Sequence, residues 1–183
     1  MLTARQKMWL GIRRVLTPQI LVSLIYYFKY GARVSPRAEI ELNSNLVLGK
    51  HCRIGPFVKI KAFTGPLHIG ARAQIEAGCF ITSREGGTII GDDLIAGPDA
   101  KIICGNYRYD KKGVHLEDLG GSSKGIVIGD RVRIGAGAMI ADGARLGDDT
   151  QVLPGALVNR PFKGGVVLGG CPARLIKDAD EAD

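Results

Sequence analysis

The stretch Gly125-Ile126-Val127-Ile128-Gly129-Asp130-Arg131-Val132-Arg133-Ile134-Gly135-Ala136-Gly137-Ala138-Met139-Ile140-Ala141-Asp142-Gly143-Ala144-Arg145-Leu146-Gly147 decides the fold. Ile128, Ile134, Ile140 and Leu146 stand six residues apart, and the frame continues through Val152 and Val158. The fourth residue after each aliphatic is small or β-branched: Val132, Ala138, Ala144, Thr150 and Ala156. A helix would repeat every 3.6 residues and a long half-buried strand every two. Two inward positions in six instead fit a short strand followed by a tight turn. Inward aliphatics then stack from coil to coil, small residues fill the corners, and glycine relieves the turns.

Upstream, the same frame runs through Leu48, Ile54 and Ile60. It resumes after three extra residues at Ile69, Ile75 and Ile81, and after three more at Ile90, Ala96 and Ile102. Three hexads per coil predict a triangular prism of parallel strands, a solenoid in which each coil touches only its neighbours. At least twelve hexads match over residues 34–169. The corner positions Cys52, Val58, Thr64, Ala73, Cys79 and Ala100 follow the same rule, which makes Cys52 and Cys79 core filler. An all-β solenoid explains why 26 of 183 residues are glycine while only 6% are aromatic. The glycines have no three-residue period, which excludes collagen, and 45% hydrophobic content excludes a disordered chain.

The formal net charge of +7 is localised. Residues 1–38 hold Arg5, Lys7, Arg13, Arg14, Lys29, Arg33 and Arg37 and no acid; the remainder carries 18 basic and 18 acidic side chains. A neutral body argues against nucleic-acid binding. The leader, residues 1–33, is expected to be basic, amphipathic and helical, with Thr17-Pro18 as a start and Gly31 as a stop. Ile20, Leu21, Leu24, Ile25 and Phe28 form its expected apolar face. That face either covers the open end of the solenoid or makes a peripheral membrane contact helped by Trp9, Tyr26, Tyr27 and Tyr30. The apolar run is too short to span a bilayer. With no signal-peptide pattern and no CxxC, the expectation is a cytoplasmic protein with reduced thiols, peripheral at the inner face of the membrane if the leader makes that contact.

Residues 105–125 break the frame, and a loop this long inside a solenoid points to function. It is expected to wall an active site; a solvated excursion or subunit contact is the alternative. Val166-Val167-Leu168 adds a last strand, and residues 170–183 are expected to form a tail or short helix. His51 is assigned to an outward hexad position and His68 to a corner loop, both at the surface. Cys52, Cys79, Cys104 and Cys171 lie too far apart for a zinc motif, so no metal is expected.

The run Gly125–Ala138, together with Gly170-Cys171-Pro172-Ala173-Arg174, resembles the hexapeptide-repeat acetyltransferases. It is most similar to the sugar and polysaccharide O-acetyltransferases related to maltose and galactoside acetyltransferases. The resemblance implies a left-handed parallel β-helix, with the N-terminal helical segment before it and a short C-terminal extension after it. It further implies a homotrimer with acetyl-CoA in the groove between neighbouring prisms, and a sugar or glycan precursor as acceptor. By position, Ala136 would offer a backbone amide to the pantetheine arm, and Pro154 and Gly155 would line the groove one coil later. Asn159 and Arg160 stand where that family has Thr-Lys, and Arg174 would approach the nucleotide phosphates. Arg133 stands where that family often has tryptophan.

Acyl transfer to a hydroxyl needs a base for the attacking proton and donors for the thioester oxyanion. In the family resembled, the base is a histidine at the start of the long loop, in a His-Asn-His or Asn-His stretch. Here that place falls on Gly105-Asn106-Tyr107, and a phenol of ordinary pKa ~10 is a poor base at neutral pH. Three readings stay open. In the first, His115 supplies the imidazole, oriented by Asp110, Glu117 or Asp118. In the second, another base or the substrate assists. In the third, the chain is a catalytically impaired trimer that binds CoA or acts as a scaffold. The candidate catalytic set is therefore His115, Tyr107, Asn106 and Asp110. The γ-type carbonic anhydrases need three histidine ligands, and the spacing of His51, His68 and His115 does not suit them. Acyl-carrier-protein-dependent acyltransferases of the same fold predict retention of a longer acyl chain.

Overall fold

A computed structural model of the protein describes residues 19–41, 43–107, 113, 115 and 120–179. Among the described residues, one helix precedes a prism with three faces, each built of parallel strands. The first face stacks Val34, Ile54, Ile75, Ala96, Ile134, Val152 and Leu168 in register. The second stacks Ile40, Ile60, Ile81, Ile102, Ile140 and Val158. The third stacks Leu48, Ile69, Ile90, Ile128, Leu146 and Phe162. These columns carry the hexad aliphatics, and most of them are buried. Each aliphatic packs on its counterparts one coil above and below, so a long narrow core forms without aromatic bulk. Where Ala96 leaves the first column thin, Leu94 fills the adjoining corner.

The corner positions are buried as the frame requires, Cys52 and Cys79 among them. Burial pushes the Cys79 thiol up to about 11 and raises that of Cys52, which suits packing rather than nucleophilic chemistry. Thr64 departs from the frame. It lies exposed in the three-residue insertion, and Ala62 and Leu67 take the inward places instead. His51 and His68 are exposed, but their expected settings are exchanged. His51 occupies a corner with φ 61°, and His68 points outward from the strand Leu67–Ile69.

The corner between the third and first faces is zipped along its length. Ala71 N–H donates to Asp92 Oδ1 at 2.7 Å, Asp92 N–H to Asp130 Oδ1 at 2.8 Å, and Asp130 N–H to Asp148 Oδ1 at 2.9 Å. Beside this ladder, Arg72 pairs with Asp93 and Arg131 with Asp149 through two-pronged contacts of 2.6–2.8 Å. The guanidinium hydrogen bonds hold both carboxyls below the usual carboxylate range.

Helix α1 (Gln19–Tyr30) ends where the sequence places its stop. Gly31 takes φ 62°, its N–H reaches Tyr27 O at 2.9 Å, and Ala32 N–H reaches Tyr26 O at 3.3 Å. This is a glycine-terminated C-cap of the αL type. Thr17 and Pro18 lie outside the described residues. The helix does cover the first coil, but not with the expected face. Val22 and Tyr26 are the buried residues, and Ile20, Leu21, Leu24, Ile25 and Phe28 are exposed. Tyr26 therefore belongs to the core, where burial, helped by nearby Tyr30, pushes its phenol up to about 12.

At the other end, Val166–Gly169 closes the first face. Residues 174–178, within the segment expected to be a tail or short helix, form a strand antiparallel to it. The run Leu175-Ile176 lacks helical partners and finds an unpaired sheet edge instead. Lys163 and Asp178 tie this strand down at 3.0 Å.

Candidate active site

Two corners carry the residues singled out from the sequence. At the corner between the first and second faces, each coil turns through a tip residue with positive φ: Phe57, Gly78, Asp99, Gly137 and Gly155, at 58–75°. In the early coils these tips are large or occupied. Phe57 carries a ring with Arg37 6.0 Å from its centroid, and the Gly78 tip faces the Asp99 side chain. The last two tips, Ala136-Gly137 and Pro154-Gly155, are exposed and bare. A Cβ on Gly137 or Gly155 would meet nothing within 4 Å. The tips are stacked by Gly137 N–H on Pro98 O at 2.9 Å and by Gly155 N–H on Ala136 O at 3.0 Å. Among the described residues no acceptor takes the Ala136 N–H. The result is a narrow backbone shelf with a free amide.

Arg174 stands at the end of this shelf. It pairs across to Gly169, and Ala173 N–H anchors the turn on Leu157 O at 2.7 Å. Its guanidinium is exposed and, among the described residues, meets only the neighbouring Ala173 carbonyl at 3.4 Å. Asn159 and Arg160 are exposed at the next corner, with the Arg160 guanidinium 4.9 Å from the centre of the Phe162 ring. Arg133 projects from the first face. It lines an open cleft of about 380 Å³ with Gln74, Ile95, Arg131, Asp149 and Gln151, on the side of the aspartate ladder rather than of the shelf.

The long loop leaves from the corner between the second and third faces. Asn106–Tyr107 and Gly121–Ser122 pair as an antiparallel ribbon, placing Asn106 opposite Ser122 and Tyr107 opposite Gly121. His115 is exposed; Asp110, Glu117 and Asp118 lie outside the described residues. The structure therefore brings Asn106 and Tyr107 together on one strand and shows no described partner for His115.

The base of this ribbon is a polar cluster that the sequence reading did not single out. Asp142 receives Lys124 N–H at 2.9 Å and Gly125 N–H at 3.1 Å, clasping the returning strand. Ser123 Oγ receives Gly86 N–H at 3.0 Å and lies 3.2 Å from Cys104 Sγ. Below, Cys104 N–H donates to Thr82 Oγ1 at 3.3 Å, Ser83 Oγ to Pro66 O at 2.6 Å, and Thr88 Oγ1 to Thr82 O at 3.0 Å. Arg84 packs against Gly105. Part of the signal was present: Ser83 and Thr88 are polar where the preceding coil carries Ala62 and Leu67, and they sit directly under the frame break.

Residues 125–160 match the family model described as bacterial transferase hexapeptide (six repeats). The chain has the fold of the solved structures it resembles, a left-handed β-helix, and the hexapeptide-repeat match lies within its last coils. AntD, an N-acyltransferase from Bacillus cereus solved with dTDP and 3-hydroxybutyryl-CoA, is similar with a TM-score of 0.73 at 17% identity over 85% of this chain and 86% of that one. A maltose O-acetyltransferase from Clostridium difficile 630 gives 0.57 at 22% identity over 70% of each chain. A variant of GDP-perosamine N-acetyltransferase from Caulobacter crescentus, bound to CoA and GDP-perosamine, gives 0.61 at 22% identity over 80% of this chain and 57% of that one. No curated protein matches the sequence. Among the described residues, no group of three or more His, Cys, Asp or Glu side chains is arranged to hold a metal ion.

Proposed function

We propose that the protein is a CoA-dependent acyltransferase that moves an acetyl group onto a sugar or glycan precursor, working as a homotrimer. The observation that carries this reading is the bare shelf at Ala136-Gly137 and Pro154-Gly155, with Arg174 at its end. A pantetheine arm is long and thin, needs close backbone approach and amide donors, and ends in phosphates that a guanidinium pairs well. The free Ala136 N–H and exposed Arg174 meet those needs, and Asn159 and Arg160 flank the same end. The solved relatives in complex with CoA or acyl-CoA support it.

The shelf and the loop ribbon occupy different edges of one prism, separated by a face about 15 Å wide on ordinary strand rise. A neighbouring copy that lays its loop against this shelf would complete the site, which is what supports the trimer. In the transfer, the acceptor oxygen attacks the thioester carbonyl and forms the new C–O bond. The C–S bond breaks, and the acceptor proton is passed by the base to the departing CoA sulfur. His115 is the proposed base, oriented by Asp110, Glu117 or Asp118, and Asn106 and Tyr107 at the start of the same loop complete the candidate set.

The test is acceptor-dependent release of CoA thiol from acetyl-CoA across a panel of free sugars and sugar nucleotides. Release that His115→Ala abolishes supports the assignment. Full rate in His115→Ala moves the chemistry to another base or to the substrate. No release from a protein that binds CoA favours the impaired, CoA-binding scaffold. Lability of the product to mild alkali separates an ester from an amide, and hence a hydroxyl from an amine acceptor.

A further inference from the structure

We propose that the outer face of α1 seats on an anionic phospholipid surface, with the cations of the helix and of the coil beneath it engaging the lipid headgroups. The two faces of this helix are used differently. Val22 and Tyr26 lock it onto the first coil, while Ile20, Leu21, Leu24, Tyr27 and Phe28 are left in water, Phe28 at 81% exposure and Ile20 at 61%. A cluster of large apolar side chains in water marks a docking surface. Twelve residues are too few to cross a bilayer, and none of the described helices is long and apolar enough to do so. A helix of this kind lies in the interface plane.

Charge chooses the occupant. Residues 1–53 contain nine basic and two acidic side chains, whereas residues 54–183 contain sixteen of each. The entire net charge of +7 is gathered on the segment that carries the apolar face. Arg5, Lys7, Arg13 and Arg14 precede the helix in sequence, and Lys29, Arg33, Arg37, Lys50 and Arg53 are exposed on it or on the coil beneath it. A second copy docking through the same face would bring cation against cation. An anionic lipid surface satisfies both features at once, apolar side chains entering the acyl boundary and cations meeting phosphates. The helix caps the first coil, and the bare shelf lies in the last coils, so docking leaves the shelf open. In the proposed trimer three such helices would share one end and act together.

The test is flotation of the full chain with vesicles of phosphatidylcholine alone and of phosphatidylcholine with phosphatidylglycerol, without CoA, so that its result is independent of the transfer reading. The expected result is binding to the anionic vesicles at least ~10-fold above the neutral ones, weakened by salt. Leu24→Ser/Phe28→Ser should lose it ~10-fold with unchanged circular dichroism and elution volume. Lys29→Gln/Arg33→Gln should weaken it and flatten its salt dependence. Absence of flotation by the folded wild type, or equal binding to both vesicles, overturns the proposal. So does a changed oligomeric size in Leu24→Ser/Phe28→Ser, which would make the face a subunit contact.

Discussion

Two corners of the prism share one backbone and differ in what they carry. In both, each coil turns through a residue with φ near 60°, such as Arg131 and Asp149 on one edge and Gly137 and Gly155 on the other. On the first edge, side chains occupy the space between coils: Asp92, Asp130 and Asp148 accept from the preceding coil's amides, and arginines pair across. On the second, the last two coils present glycine, alanine and proline, and the space stays empty. Regular backbone is thus used twice, once filled to hold coils together and once stripped so that a thin ligand can approach. Substituting each edge should move different observables.

The largest effect expected is on ligand binding. Ala136→Phe puts a ring over the shelf at an exposed position of ordinary φ, and should weaken acetyl-CoA binding by ~100-fold or more while leaving the thermal midpoint unchanged, as surface substitutions do. Next comes the core that both edges share. Ile140→Ala opens a cavity in the second-face column and should cost about 2–5 kcal/mol in denaturant unfolding. On the filled edge, Asp130→Ala removes the acceptor of Asp92 N–H and should cost about 1–3 kcal/mol, with acetyl-CoA affinity unchanged. Smallest is Arg131→Gln, which breaks an exposed ion pair. The Asp149 carboxyl is depressed by that arginine, so its contribution is present above the unfolded carboxylate range and is lost as pH falls through the folded value. Wild type and Arg131→Gln should therefore differ slightly in thermal midpoint near neutral pH and converge in acid. A larger Arg131→Gln effect than that of Asp130→Ala would mean that the ion pairs, rather than the amide ladder, hold the edge.

The prism was legible because its signal is periodic. Ile128, Ile134 and Ile140 name their own columns, and the outward places of Ile89 and Ile95 follow from the same frame. The helix face was not legible. Residues 20–28 are apolar on nearly every side, so spacing alone could not say whether Val22 and Tyr26 or Leu24 and Phe28 would meet the coil. The resemblance named the residues of the shelf, and the six-residue step sets Ala136 in register with Pro154. The loop base was hidden because Asp142 acts on Lys124 and Gly125 from a neighbouring coil, a relation that no local pattern encodes. The catalytic residues are the least legible part. They lie outside the repeat, and Tyr107 occupies the place that the resemblance reserves for histidine.

The central claim is that the bare edge is the coenzyme track. Calorimetric titration of the wild-type protein with acetyl-CoA, with free CoA for comparison, tests it without knowledge of the acceptor. Micromolar binding at close to one site per chain, lost in Ala136→Phe and kept in Asp130→Ala, is the expected result. No binding by the wild type, or binding that Ala136→Phe leaves intact, would contradict it.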